Sequence, residues 1–121
     1  MNKRELIEYV LSQYGVKPEY LWKKYPNDFV LRHPMSGKKN GKWFAVVMDV
    51  PKKRLGLPGD ELINIINVKC GPILLGSYLG IIGFLPAYHM NKDNWITICL
   101  DGSVSRKDII ELIDISYGLT K

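Results

Sequence analysis

The feature that most constrains this chain is a succession of three runs rich in β-branched and aromatic residues: Asp28 to His33, Lys42 to Val50 and Glu61 to Lys69. The first connector, Met35 to Gly41, is polar and glycine-containing, which is a hairpin signal. The second, Pro51 to Gly59, holds two prolines, two glycines and three consecutive cations and reads as a loop. Three consecutive strands with no helix between them argue for an antiparallel sheet.

Helical periodicity flanks these strands. Leu6, Ile7, Val10, Leu11 and Tyr14 recur at helical spacing behind a capping Asn2, with Gly15 as the stop. Lys17 to Asp28, with Pro18, Trp22, Tyr25 and Pro26, is too irregular for a strand and is expected to add one short helical turn. Beyond the third strand, Gly71 to Gly80 reads as a short helix opened by Pro72 and ended by Gly80. Ile81 to Tyr88 and Asn94 to Leu100 read as strands around a turn at His89 to Asp93. A last helix, capped by Ser103 or Ser105 and stopped by Gly118, carries Ile109, Ile110, Leu112, Ile113 and Tyr117 as its buried stripe. The order α-β-β-β-α-β-β-α over one domain, 1–121, predicts an α+β fold of two layers, the helices packed on one face of an antiparallel sheet.

Such a layer leaves the other face of the sheet partly free, and strand alternation states what could stand there. Ile96, Ile98 and Leu100 share one face, opposite Trp95, Thr97 and Cys99; Trp43, Ala45 and Val47 oppose Phe44, Val46 and Met48. Which set meets the helices is open at this level, and at least one tryptophan is expected outside the main core.

Charge and cysteine content bound the function. Lys and Arg number 17 against 12 Asp and Glu, a formal net charge of +5, which favours anionic partners or serves solubility. Cys70 and Cys99 lie in apolar surroundings without metal-like spacing, as suits a reducing compartment, although a disulfide between them stays open. The N-terminus lacks a signal-peptide pattern, so a cytoplasmic location is expected. Pro72 to Tyr88 is nearly uncharged, but Gly76, Gly80, Gly83 and Pro86 interrupt it, and a membrane span needs about 20 apolar residues. No membrane association is expected.

No catalytic constellation stands out. His33 and His89 have no carboxylate in sequence positioned to orient them, and a zinc site would need three or four ligands from scattered positions. No serine sits in a nucleophile elbow, and Gly37 to Gly41 lacks Walker spacing. The chain is therefore expected to be no enzyme and to hold no metal or cofactor. Its cations do cluster: Lys38, Lys39 and Lys42 beside Trp43, then Lys52, Lys53 and Arg54, then Lys92. Cation-tipped loops beside tryptophan suit phosphate contact, provided that they converge on one surface.

Gly41-Lys42-Trp43-Phe44-Ala45, Asn67-Val68-Lys69-Cys70 and above all Pro86-Ala87-Tyr88-His89-Met90-Asn91-Lys92 leading to Trp95-Ile96 resemble the MmcQ/YjbR family. Leu112-Ile113 and Ser116-Tyr117 match its C-terminal helix, so the resemblance covers nearly the whole chain. It implies the same element order and a double-wing DNA-binding domain, with His89, Asn91 and Lys92 forming one wing. Ile73 to Phe84 departs from the family pattern, in which many relatives carry charges on the short helix. An exposed apolar patch there would imply self-association or a protein partner; the alternative is burial within the monomer. The rival to DNA binding is a protein-interaction or small-ligand module that uses the free sheet face and this apolar segment.

Overall fold

The computed structural model describes every residue from Met1 to Lys121. Asn2 and Glu5 open the first helix as a capping box: Asn2 Oδ1 accepts the Glu5 N–H at 2.9 Å, and Glu5 Oε1 accepts the Asn2 N–H at 3.0 Å. Helix α1 (Lys3–Tyr14) then runs to Gly15, whose φ of 68° is a left-handed conformation that only glycine adopts cheaply. Strands β1 (Phe29–Arg32), β2 (Trp43–Pro51) and β3 (Leu62–Lys69), helix α2 (Gly71–Tyr78), strands β4 (Phe84–Pro86) and β5 (Trp95–Cys99) and helix α3 (Arg106–Leu119) follow. All strand pairs are antiparallel, in the order β1-β2-β3-β5-β4. Class and element order are those expected from the sequence.

The helices cover one face. Leu6 and Val10 of α1, Leu75 of α2, and Ile109, Leu112 and Ile113 of α3 pack on Phe29, Leu31, Ala45, Val47, Ile66, Val68, Ile96 and Ile98 of the sheet. Each buried Val, Leu, Ile or Phe among them contributes roughly 1.5–3 kcal/mol of burial free energy. Trp43 does not join the Ala45 set that strict alternation assigns it. Leu31 pairs with Ala45 but Arg32 with Trp43, so Phe44 is an extra residue in β2. Such a bulge breaks the two-residue period. Phe44 turns inward beside Ala45 and meets the Tyr14 and Tyr117 rings edge-on at 6.0 and 5.0 Å, while Trp43 rotates to the opposite face.

Other expectations need correction. Lys17 to Asp28 contains no helical turn; it lies along the outer edge of β1, where Glu19 and Val30 exchange both backbone hydrogen bonds at 3.0 Å. Pro18 and Pro26 lack the N–H a helix needs, and Glu19 fixes the arm by receiving Arg32 Nε and Nη2 at 2.6 and 2.8 Å. The connector after β2 holds a 3₁₀ turn, Lys52–Leu55, rather than being wholly irregular. β4 is three residues long instead of spanning 81–88, because Tyr88 and its successors leave the ladder. Gly118 does not stop the last helix: α3 passes through it, and Thr120 Oγ1 closes the end by donating to Ser116 O at 2.7 Å. One glycine costs a helix only about 0.5–1 kcal/mol against alanine, less than the buried stripe supplies. Ser105, not Ser103, is the cap, its hydroxyl accepting the Asp108 N–H at 3.2 Å.

Cys70 and Cys99 are buried free thiols, and burial pushes the Cys99 thiol up to about 11. The apolar segment divides: Leu75 and Phe84 are buried, whereas Ile73 and Ile82 are 85% and 82% exposed. No helix is long and apolar enough to cross a membrane.

Candidate functional site: a cleft over the second sheet face

The face of the sheet away from the helices carries Val30, Val46, Met48, Val50, Ile63, Ile65, Asn67, Thr97 and Cys99, by the alternation that sends their neighbours into the helical core. Far from lying free, this face is partly roofed. Leu55 and Leu57 of the β2–β3 connector pack over Val50, Ile63, Ile65 and Cys99, together with Leu85 and Tyr88. The Trp22–Asp28 arm closes from the β1 side, and Tyr88, His89 and Met90 close from the β4–β5 side. Between them lies a cleft of about 520 Å³ whose floor includes Val46, Met48 and Asn67. That volume is within the range of small-molecule sites, about 300–1,000 Å³.

Two indoles make a corner in this cleft. Trp22, brought in by the arm, and Trp43, turned out by the bulge, stand with centroids 6.1 Å apart and planes at 82°. The opposite wall is fastened by a buried polar ring. Thr97 Oγ1 donates to Asn67 Oδ1, Asn67 Nδ2 donates to Tyr88 O at 2.9 Å, and Tyr88 N–H donates to Thr97 Oγ1 at 2.9 Å. Asn67 and Thr97 are fully buried, so both backbone polar groups of Tyr88 are held from the sheet floor. The next residue, His89, is the chain's sole non-glycine with positive φ, 58°. Such a conformation persists where the surroundings over-determine it. Its ring stacks on Tyr88 at 4.0 Å.

The charges around the cleft are unequal in availability. Asp49 is engaged by Lys3 Nζ and Asn64 Nδ2, each at 2.5 Å. Asp28 is buried, and its Oδ1 accepts the Asp49 N–H at 2.9 Å. Burial, reinforced by the charge of Asp49, holds the Asp28 carboxyl above the ordinary carboxylate range. Lys24 and Arg54 line the rim as exposed cations outside every ion pair of the molecule. His89 meets no carboxylate in an ion pair, and no group of three or more His, Cys, Asp or Glu side chains comes together as a metal site.

The ten residues singled out from the sequence separate into three sets. Lys38, Lys39, Lys42, Asn91 and Lys92 lie at the end of the sheet where β2 and β5 begin. Lys52, Lys53 and Arg54 lie at the other end of β2, about 27 Å away at ~3.4 Å per residue. There Lys52 pairs with Glu61 at 3.0 Å and Lys53 with Asp60 at 3.4 Å, so acids of the same hairpin offset two of the three cations. Trp43 and His89 belong to the cleft, whose rim Arg54 of the second set also reaches. Asn91 is engaged in its own turn, Oδ1 accepting the Asp93 N–H at 2.8 Å. The three basic loops therefore do not converge on one surface. Sequence reasoning passed over Trp22, Asp28, Asn67 and Thr97. The signal for Asn67 was available: an amide amid a run of β-branched residues is a polar group that must be paired.

The YjbR family model matches residues 11–119. The chain belongs to the YjbR family. A Bacillus subtilis (strain 168) member, "Uncharacterized protein YyaQ", is 37% identical over 121 residues, covering 100% of this chain and 99% of that protein. A crystal structure of a Pseudomonas syringae protein, 40% identical, superposes with a TM-score of 0.92 over 100% of both chains, and a solution NMR structure from the same organism gives 0.85 over 100% and 94%. Deinococcus radiodurans protein DR2400, at 18% identity, shares the fold with a TM-score of 0.68, covering 98% of this chain and 78% of that one. Within this family fold, the stretch Pro86 to Lys92 that carried the sequence resemblance supplies one wall of the cleft.

Proposed function

We propose that this YjbR-family domain is a non-catalytic binding protein whose working site is the cleft over the second sheet face, and that its ligand is a planar, anionic small molecule. The observation that carries this reading is the right-angled corner of Trp22 and Trp43, in a cleft whose rim also carries unpaired Lys24 and Arg54. A flat ring can stack on one indole while its edge meets the face of the other, the two geometries aromatic pairs favour. Cations without protein partners complement a negative group. The fastened Tyr88–Met90 wall keeps the site formed before ligand arrives, which lowers the ordering cost of binding. The two buried free thiols suit action in the cytoplasm.

Tryptophan fluorescence tests the proposal. Trp95 lies outside the cleft, so in a Trp95→Phe background the emission comes from Trp22 and Trp43. Titration with aromatic carboxylates and nucleoside monophosphates should quench it saturably, and Arg54→Glu should weaken the response several-fold. Absence of saturable quenching by every member of that panel at millimolar concentration sinks the reading.

DNA binding is the second reading, favoured by Lys38, Lys39, Lys42 and Lys92, which lie at one end of the sheet and outside the ion pairs. With four phosphate contacts, its log–log salt slope would be about −3.6. Lys52→Glu and Lys53→Glu would leave that binding nearly unchanged, because those side chains stand at the opposite end and are ion-paired.

A further inference from the structure

Asp28 is the buried acidic group of the cleft, and the protein leaves it partly unused. It occupies the cleft-facing position just before β1, beside Met48, because Phe29 pairs with Val47 and points into the helical core. The residue is 3% exposed. Its Oδ1 takes the Asp49 N–H, but no protein donor reaches Oδ2, and that atom is not sealed in, since every fully enclosed side-chain polar atom of the molecule has a partner. Lys3, the nearest cation, is engaged by Asp49 Oδ1 and by Asn27 O at 3.2 Å. A carboxylate oxygen without a protein donor, on a 3% exposed residue that lines a ligand-sized cleft, is an acceptor awaiting a donor.

Resting on the cleft reading above, we infer that Asp28 selects the ligand by accepting hydrogen bonds from the N–H edge of an amino-substituted heteroaromatic ring whose anionic tail lies toward Arg54 and Lys24. Three features of the site agree on this chemistry. The perpendicular indoles offer a flat ring one face to stack on and another to meet edge-on. The two rim cations disfavour a ligand of net positive charge. The carboxylate accepts hydrogen bonds only, so a ring edge presenting carbonyl oxygens would leave it unpaired and meet it with repulsion. Nucleoside monophosphates with different purine edges are the direct probes. Guanine presents two adjacent donors, N1–H and the exocyclic amine; hypoxanthine lacks the amine; xanthine replaces it with a carbonyl.

The experiment is fluorescence titration of the full chain in the Trp95→Phe background with guanosine, inosine and xanthosine monophosphates. The guanine nucleotide should bind about tenfold or more tighter than the inosine nucleotide, as expected for one hydrogen bond to a charged acceptor. Asp28→Asn should reduce or reverse that preference in favour of xanthine, because an amide offers one acceptor and one donor. The asparagine Oδ1 can still receive the Asp49 N–H, so the variant should fold, and its thermal melt confirms this. Equal affinities for the three rings, or an unaltered order in a folded Asp28→Asn protein, overturns the role of Asp28 while leaving the cleft intact. Quenching by none of the nucleotides but by aromatic carboxylates overturns the ring assignment alone; quenching by neither overturns the cleft reading itself. A trinucleotide with one guanine between thymines separates the two sources of such a ring. Tighter binding than the mononucleotide assigns it to a nucleic-acid strand, weaker binding to a free nucleotide, and either supports the contact.

Discussion

Thr97→Val tests the fastening of the cleft wall with little change in shape, since valine replaces the hydroxyl by a methyl group. Two hydrogen bonds disappear, Thr97 Oγ1 to Asn67 Oδ1 and Tyr88 N–H to Thr97 Oγ1 at 2.9 Å. Asn67 is fully enclosed, and the partly buried Tyr88 N–H loses its acceptor. Leaving a buried polar group unsatisfied costs about 1–3 kcal/mol, so two such groups put the expected loss at about 2–6 kcal/mol. Against a typical domain stability of about 5–15 kcal/mol this is readily measured by equilibrium urea unfolding. The same variant should raise amide exchange at Tyr88 and His89 well above that of the β3 core, because the wall loses its anchor before the sheet opens. A double-mutant cycle with Asn67→Leu should return a coupling of about 0.5–3 kcal/mol. A loss below about 0.5 kcal/mol with unaltered exchange would show that the ring does not hold the wall, and the claim of a preformed cleft would fail with it.

His33 gives a pH dependence. Its Nε2 lies 2.9 Å from Thr120 Oγ1, and burial, the dominant cause, lowers its pKa below the ordinary histidine value. As acid is added, the unfolded chain therefore takes up this proton first, at about pH 6.5, while the folded chain resists. Stability should be complete above that pH and decline below it; His33→Gln should flatten this portion of the pH profile measured by thermal melts. Gly41→Ala should destabilise by more than about 3 kcal/mol or prevent folding, because a Cβ built there comes within 1.7 Å of the His33 carbonyl oxygen, a backbone atom that cannot swing away. Far-UV circular dichroism against urea reads this directly, and a wild-type-like midpoint would contradict the tight hairpin closure.

Much of the architecture was legible because local physics specifies it. Asn2 and Ser105 cap helices through their own side chains, and apolar spacing sets the buried stripes of α1 and α3. The misses share a cause: each depended on a partner remote in sequence. Gly118 looked like a stop, but α3 is held by the sheet beneath it, and Ser116 Oγ reaches across to Phe44 O at 2.5 Å. The arm at Lys17 to Asp28 read as a short helical turn, yet Val30 and Arg32 hold it at the edge of β1 through Glu19. Whether the basic loops converge stayed open in the sequence, because chain order does not show at a glance that successive hairpins of an antiparallel sheet point in opposite directions.

Taken alone, the sequence determined the fold class, the element order and the family resemblance, since periodicity, capping chemistry and short connectors act between residues near each other in the chain. Only the tertiary structure decided where the site lies. The bulge at Phe44 turns Trp43 across the sheet, the arm brings Trp22 to meet it, and Asn67 with Thr97 draws the Tyr88 loop down over the floor. The indole pair and the Asn67 contacts join residues 21 to 30 apart in the chain. For Trp43 the deciding event is a one-residue shift in strand register, which reverses the direction of a side chain without changing its identity.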